Sequence, residues 1–175
     1  MRKTNFTLLS VLALLFACGG AKNVDDNSTP ELLSQTVLTA LRQKDKTTFE
    51  KYIVQSKDEL EAYLTGYYGR ELSSGLRKPV DEWDERKEPI FKSFDFALKR
   101  ANENGLSDWS GVQFKDMTFR DASKNGQAMY ADVKIQFTKD DYLGVLLMEN
   151  IIQTETGWKL YKPIKLTNYT LNPYQ

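Results

Sequence analysis

Histidine is absent from this 175-residue chain, and cysteine occurs once, at Cys18. Without histidine there is no ordinary neutral-pH base, the commonest metal ligand is missing, and no Ser-His-Asp arrangement can form. A lone cysteine excludes an internal disulfide and any multi-thiolate metal centre. Neither sign of charge dominates: 24 Lys and Arg stand against 24 Asp and Glu. That balance gives no footprint for a nucleic-acid partner. No Gly-rich segment leads into Gly-Lys-Ser/Thr, since Gly66, Gly69 and Gly75 are too widely spaced, so no nucleotide cofactor is implied. The acidic run Asp81-Glu82-Trp83-Asp84-Glu85 lacks the alternating ligands and central glycine of a calcium loop. It reads as a helix start, where negative charge suits the macrodipole. Asn27-Ser28-Thr29 and Asn168-Tyr169-Thr170 match the glycosylation acceptor triplet, a pattern frequent by chance, and carry no weight here.

Long apolar runs are also scarce. The single one, from Phe6 to Ala17, follows Arg2 and Lys3. It covers about a dozen residues, where a membrane span needs roughly twenty. Length and flanks fit a secretory leader over residues 1–17. The run ends Leu15-Phe16-Ala17-Cys18-Gly19, which resembles the lipobox of bacterial lipoproteins, with Phe16 departing from the usual small or β-branched residue. The resemblance implies cleavage between Ala17 and Cys18 and a diacylglycerol thioether on Cys18. The membrane partner is then reached through lipid, at the cell envelope and, with no inner-membrane retention signal after Cys18, at the outer membrane. Losing Arg2 and Lys3 with the leader leaves a slight acidic excess, so the acyl chains, two or three of them in such proteins, are the anchor. Residues 18–29 are polar and small and read as a tether. Asp25-Asp26 resembles the acidic surface-export signal of lipoproteins from the Bacteroidota.

Residues 30–175 read as one domain, helical first and stranded second. Ser28 or Thr29 caps a helix that has Pro30 at its first position, and Leu32, Leu33, Val37, Leu38 and Leu41 fall on one stripe. Asp45 caps a short helix carrying Phe49, Tyr52 and Ile53. Ser56-Lys57-Asp58-Glu59 is a capping box that opens a third helix, with Gly66 as its stop and a loop over 67–79. A long helix from about Val80 to Asn104, bent near Pro89, presents Ile90, Phe91, Phe94, Ala97, Leu98 and Ala101, and Gly105 ends it. After Trp109 the period changes to two. Val112, Phe114 and Phe119 mark a first strand and Lys124-Asn125-Gly126 a hairpin. A second strand alternates from Met129 to Phe137, and a third over 142–154 is apolar on both faces around Val145 to Leu147 and so is placed centrally. The fourth begins at Trp158 and extends through Ile164 to Leu171. The expected fold class is α+β: N-terminal helices packed on a C-terminal four-stranded antiparallel meander.

This order is similar to that of the nuclear transport factor 2-like superfamily, cone-shaped rolls that include the SnoaL-like proteins and ketosteroid isomerase; a cystatin-like roll reads almost the same. The likeness covers 30–166 and rests on Leu41-Arg42-Gln43-Lys44-Asp45 followed by Phe49, on Gly105-Leu106-Ser107-Asp108-Trp109-Ser110, and on the closing Gly157-Trp158-Lys159-Leu160. It implies a pocket at the open end of the cone but no fixed activity, because that fold hosts enzymes, binders and scaffolds. For proton transfer the one candidate is Asp132 with Tyr130, on the polar face of an alternating strand. For binding, Tyr67 and Tyr68, beside glycines, are expected to rim the pocket with Trp83 and Trp109. Three roles follow: a noncatalytic module holding a small apolar ligand or a peptide, an accessory subunit of an envelope protein complex, and an enzyme based on Asp132. The first is favoured, since no catalytic set is legible and no metal site is implied.

Overall fold

The computed structural model describes residues 26–171. The expected leader, its expected cleavage point after Ala17, and Cys18 lie outside them. Five helices precede five strands: α1 (Pro30–Gln43), α2 (Lys46–Lys51), α3 (Lys57–Tyr68), α4 (Ser74–Asp81), α5 (Trp83–Glu103), β1 (Gln113–Asp121), β2 (Met129–Lys139), β3 (Tyr142–Thr154), β4 (Gly157–Leu160) and β5 (Ile164–Leu171). The α+β class is therefore as expected. Among the described residues no helix is long and apolar enough to cross a membrane.

The helix starts follow the side chains that cap them. Thr29 accepts from Leu32 N–H at 3.1 Å, Asp45 from Thr48 N–H at 3.0 Å, and Ser56 from Glu59 N–H at 3.1 Å. In the last box Glu59 reaches back to Gln55 N–H at 2.9 Å, one residue earlier than the usual reciprocal bond. α1 is the centre of the molecule: Leu33, Ser34 and every residue from Thr36 to Leu41 are buried, so it is enclosed on more than one side. Its buried hydroxyls find partners, Ser34 donating to Pro30 O and Thr36 to Asp26 O.

Three helical expectations need correction. Gly66 does not end α3, which runs on to Tyr68 and is capped by Gly69 in a left-handed conformation, φ +64°. Gly66 is a point of close approach: a Cβ there would stand 2.5 Å from Gln127 Nε2. The stretch 67–79 is not a loop, because α4 occupies much of it. Nor does one bent helix run from Val80 to Asn104. The break falls at Glu82, between α4 and α5, and α5 continues through Pro89. Pro89 and Glu85 are both exposed, so the carbonyl that proline leaves without a partner is on the solvent side of the helix.

The sheet is antiparallel and open, in the order β1-β2-β3-β4, with β5 also paired to β3. β2 pairs with β3 from Tyr142 to Ile152, and β4 and β5 share the other side of β3, β4 against Ile151–Thr154 and β5 against Tyr142–Met148. The expected fourth strand is thus present in two pieces, parted at Tyr161, Lys162 and Pro163, and the sheet has five strands. β3 is central, which is why its apolar residues lie on both faces. Asn125 and Gly126, φ +51° and +78°, form the two-residue hairpin turn between β1 and β2. Two bulges interrupt the β1–β2 ladder, and at the second Asp132 adopts φ +55°. The core is one cluster from helices and sheet, with Phe49, Trp83, Phe94, Phe137 and Ile135 fully buried. Gly144 lies opposite Phe137 and leaves room for its ring.

Residues 26–29, read from sequence as part of a tether, are bonded into the fold. Asp26 N–H donates to Thr36 Oγ1 at 3.0 Å. Asn27 Nδ2 donates to Thr156 O and Trp158 O, and Asn27 O accepts from Trp158 N–H at 2.8 Å. The outer edge of β4 is further closed by Tyr52 and Val54, which exchange backbone bonds with Leu160.

Candidate functional site

The four aromatic residues expected to rim a pocket do not come together at one. Trp83 is 1 % exposed, donates Nε1–H to Val54 O at 3.2 Å and stacks on Tyr161. Trp109 is 2 % exposed and lies against Phe137 with ring centroids 5.7 Å apart. Both are core. Their burial follows from position: Trp83 opens α5 against the α2–α3 connection, and Trp109 closes the turn into β1. Tyr67 and Tyr68 are half-buried in the last turn of α3, edge to face at 5.3 Å. Tyr67 donates to Ala122 O at 3.0 Å, and Asn125 Nδ2 donates to Tyr67 O at 2.8 Å. Their work is to dock α3 on the β1–β2 hairpin.

Asp132 does not face an apolar interior. Its carboxylate is exposed and accepts from Arg120 Nε at 3.0 Å, with Arg120 Nη2 also 3.0 Å away. The bulge turns this side chain outward, into water and beside a guanidinium. That is the opposite of the desolvation a carboxyl needs to act as a base near neutral pH, and the enzyme reading built on Asp132 fails here.

A half-open groove of about 760 Å³ opens at one end of the described structure. Three chain ends form it: the first turns of α3, the tip of the β1–β2 hairpin, and the end of β3 with its turn into β4. Each wall is held by bonds already described, the Ser56–Glu59 box on one side, the Asn125-Gly126 turn on another, and the Asn27 clasp on the third. Tyr63 forms part of the lining, 4 % exposed, with its hydroxyl donating to Ala128 O at 3.2 Å. Burial pushes its phenol well above the ordinary tyrosine range, and the neighbouring Tyr67 adds to that.

Polar groups of two kinds line the groove. Glu59 is committed, accepting from Gln55 N–H and from Thr156 Oγ1 at 3.1 Å. Lys159 lines it with its stem, while its ammonium donates to Lys51 O at the end of α2, 3.0 Å away, and stands over the Tyr52 ring. Asp58, Gln127, Gln153 and Glu155 are different: none makes a side-chain hydrogen bond or ion pair among the described residues, and all four line the groove. Three carboxylates face one ammonium, so the groove is acidic.

None of these four was singled out from sequence. Asp58 lies within the capping box and Gln127 beside the Asn125-Gly126 turn, both legible in sequence, but the meeting of the four depends on how α3 crosses the hairpin tips. A second hollow of about 300 Å³ lies at the other end of the sheet, between Asn104–Asp108, Lys139, Tyr142 and Tyr169. There Lys139 donates to Asp108, whose carboxyl it holds far below the ordinary range. Among the described residues no group of three or more His, Cys, Asp or Glu stands close enough to hold a metal ion. No family model matches the chain, and no curated protein or solved structure is detectably similar to it.

Proposed function

We propose that this protein is exported, cut between Ala17 and Cys18, lipidated on Cys18, and held at the outer membrane as a noncatalytic binding module. The likeness to nuclear transport factor 2-like rolls belongs to the same proposal. The observation that carries the binding part is the groove lined by Asp58, Gln127, Gln153 and Glu155, whose side chains make no hydrogen bond or ion pair among the described residues. These side chains stand on three braced walls and offer hydrogen-bonding groups at fixed positions in a concave surface, as a ligand site requires. The lining is mostly apolar with a few hydrogen-bonding groups set in it, which suits a small molecule that has both kinds of surface, or a peptide segment.

Two measurements test this. The denatured mass of protein from its own host should equal the chain from Cys18 with diacylglycerol and acyl groups added, and Cys18→Ser should abolish the addition. Ligand captured with the native protein should bind about ten-fold more weakly to Asp58→Asn or Gln153→Ala, a loss of about 1.4 kcal/mol each. Unchanged affinity in both variants removes the groove from the account.

A second reading, an accessory subunit of an envelope complex, has its own support. Leu143, Val145 and Leu147 form a half-buried apolar row on the β3 face opposite buried Leu146 and Met148. Its test is recovery of a stoichiometric partner that Val145→Lys releases.

A further inference from the structure

The groove adjoins the point at which the chain enters the fold. Asn27 Nδ2 donates to Thr156 O at 3.1 Å, and Thr156 is in the groove wall, its hydroxyl donating to Glu59. Cys18 precedes Asn27 by nine residues, which reach about 30 Å even fully drawn out. A lipid on Cys18 therefore keeps the groove end of the domain near the bilayer. The second hollow lies at the far end of β2, whose residues advance about 3.3 Å each, roughly 35 Å away.

The four side chains that have no hydrogen-bond partner among the described residues also select among ligand chemistries. The carboxylates of Asp58 and Glu155 only accept hydrogen bonds; the amides of Gln127 and Gln153 both donate and accept. A phosphate or carboxylate meets three carboxylates and a single ammonium already turned toward Lys51. An ammonium satisfies the two free carboxylates but leaves the amide N–H groups unused. A hydroxyl donates and accepts at once, so neighbouring hydroxyls on one small ring can engage carboxylates and amides together. Given the anchored-module reading, we infer that the groove faces the bilayer and takes the hydroxyl-rich glycosyl headgroup of a glycolipid in the membrane that holds Cys18.

The test uses the mature chain carrying Cys18→Ser, which has no lipid of its own, with vesicles of phosphatidylcholine alone or with added diglucosyl diacylglycerol. The inference expects flotation with the glycolipid vesicles only, displaced by a soluble diglucoside and weakened at least ten-fold in Asp58→Asn/Gln153→Ala. Flotation on neither vesicle, or equally on both, overturns it. If ligand from the host still occupies the groove in that case, the ligand class fails and the binding-module reading stands. For orientation, the lipidated chain is labelled at Lys57→Cys, at the groove end, or at Tyr142→Cys, at the far end. Energy transfer to acceptor-bearing lipid headgroups should be stronger from position 57; equal or reversed transfer overturns the membrane-facing placement.

Discussion

Asn27 and Trp158 hold each other by two hydrogen bonds: Trp158 N–H donates to Asn27 O at 2.8 Å, and Asn27 Nδ2 donates to Trp158 O at 3.0 Å. This pair joins the first described residues to the last hairpin of the sheet, across 131 positions of sequence. It also braces one wall of the groove, because the same amide reaches Thr156 O.

Asn27→Ala should therefore destabilise the domain by about 1 to 2 kcal/mol, the usual cost of leaving partly buried carbonyls without their donor. Gly157→Ala should cost at least as much, since Gly157 has φ +104° and a Cβ there would stand 2.8 Å from Asn27. In urea unfolding the double variant should lose less than the sum of the two. Strict additivity would mean that the clasp is not one unit.

Stability should be flat from about pH 5.5 to 8.5, because no histidine titrates there. Below that window it should fall. Thr48 N–H, then its hydroxyl, hold the Asp45 carboxyl below its ordinary value, so its contribution is complete above the unfolded pKa and is lost as pH drops through the folded one. Tyr63 acts at the other end. Burial raises its pKa, so its contribution is complete below about pH 10 and is lost above it. Thermal melting against pH should show Asp45→Asn flattening the acid limb and Tyr63→Phe the alkaline one.

Gly144→Ala should destabilise by about 1 to 3 kcal/mol, as expected when a filled core must move to admit a methyl group. The added Cβ would run into the Phe137 ring, itself fully buried. Phe137→Leu in the same chain should recover part of the loss; no recovery in chemical unfolding would place the strain elsewhere.

Tyr67→Phe should cost about 1 kcal/mol through its bond to Ala122 O and leave ligand affinity unchanged. Trp83→Ala should cost about 3 to 5 kcal/mol as a core truncation. Calorimetric titration beside unfolding curves separates these structural roles from the binding role assigned to Asp58 and Gln153.

Local grammar in the sequence was readable wherever one side chain decides one turn. Thr29, Asp45 and Ser56 cap the helices expected of them, Asn125-Gly126 turns the hairpin, and the central place of β3 follows from its two apolar faces. Glycine misled where its reason was tertiary: Gly66 is small because Gln127 crosses it, and that neighbour is 61 positions away. The aromatic site failed for a related reason. Tryptophan and tyrosine beside glycine have the same pattern whether they edge a pocket or fill a core, and Trp83 and Trp109 fill one. The groove was not legible because exposed Asp, Gln and Glu carry no periodic signal. Only the crossing of α3 over two hairpin ends gives them a common direction.

The most direct measurement is native mass spectrometry of protein extracted from its own host, set against its denatured mass, for the natural chain and for Ala62→Trp. Ala62 is exposed on α3 and lines the groove, so an indole there obstructs the groove without entering the core. A labile adduct on the natural chain that Ala62→Trp lacks is the result the account predicts. An adduct held equally by both chains, or none on either, would contradict a ligand in the groove.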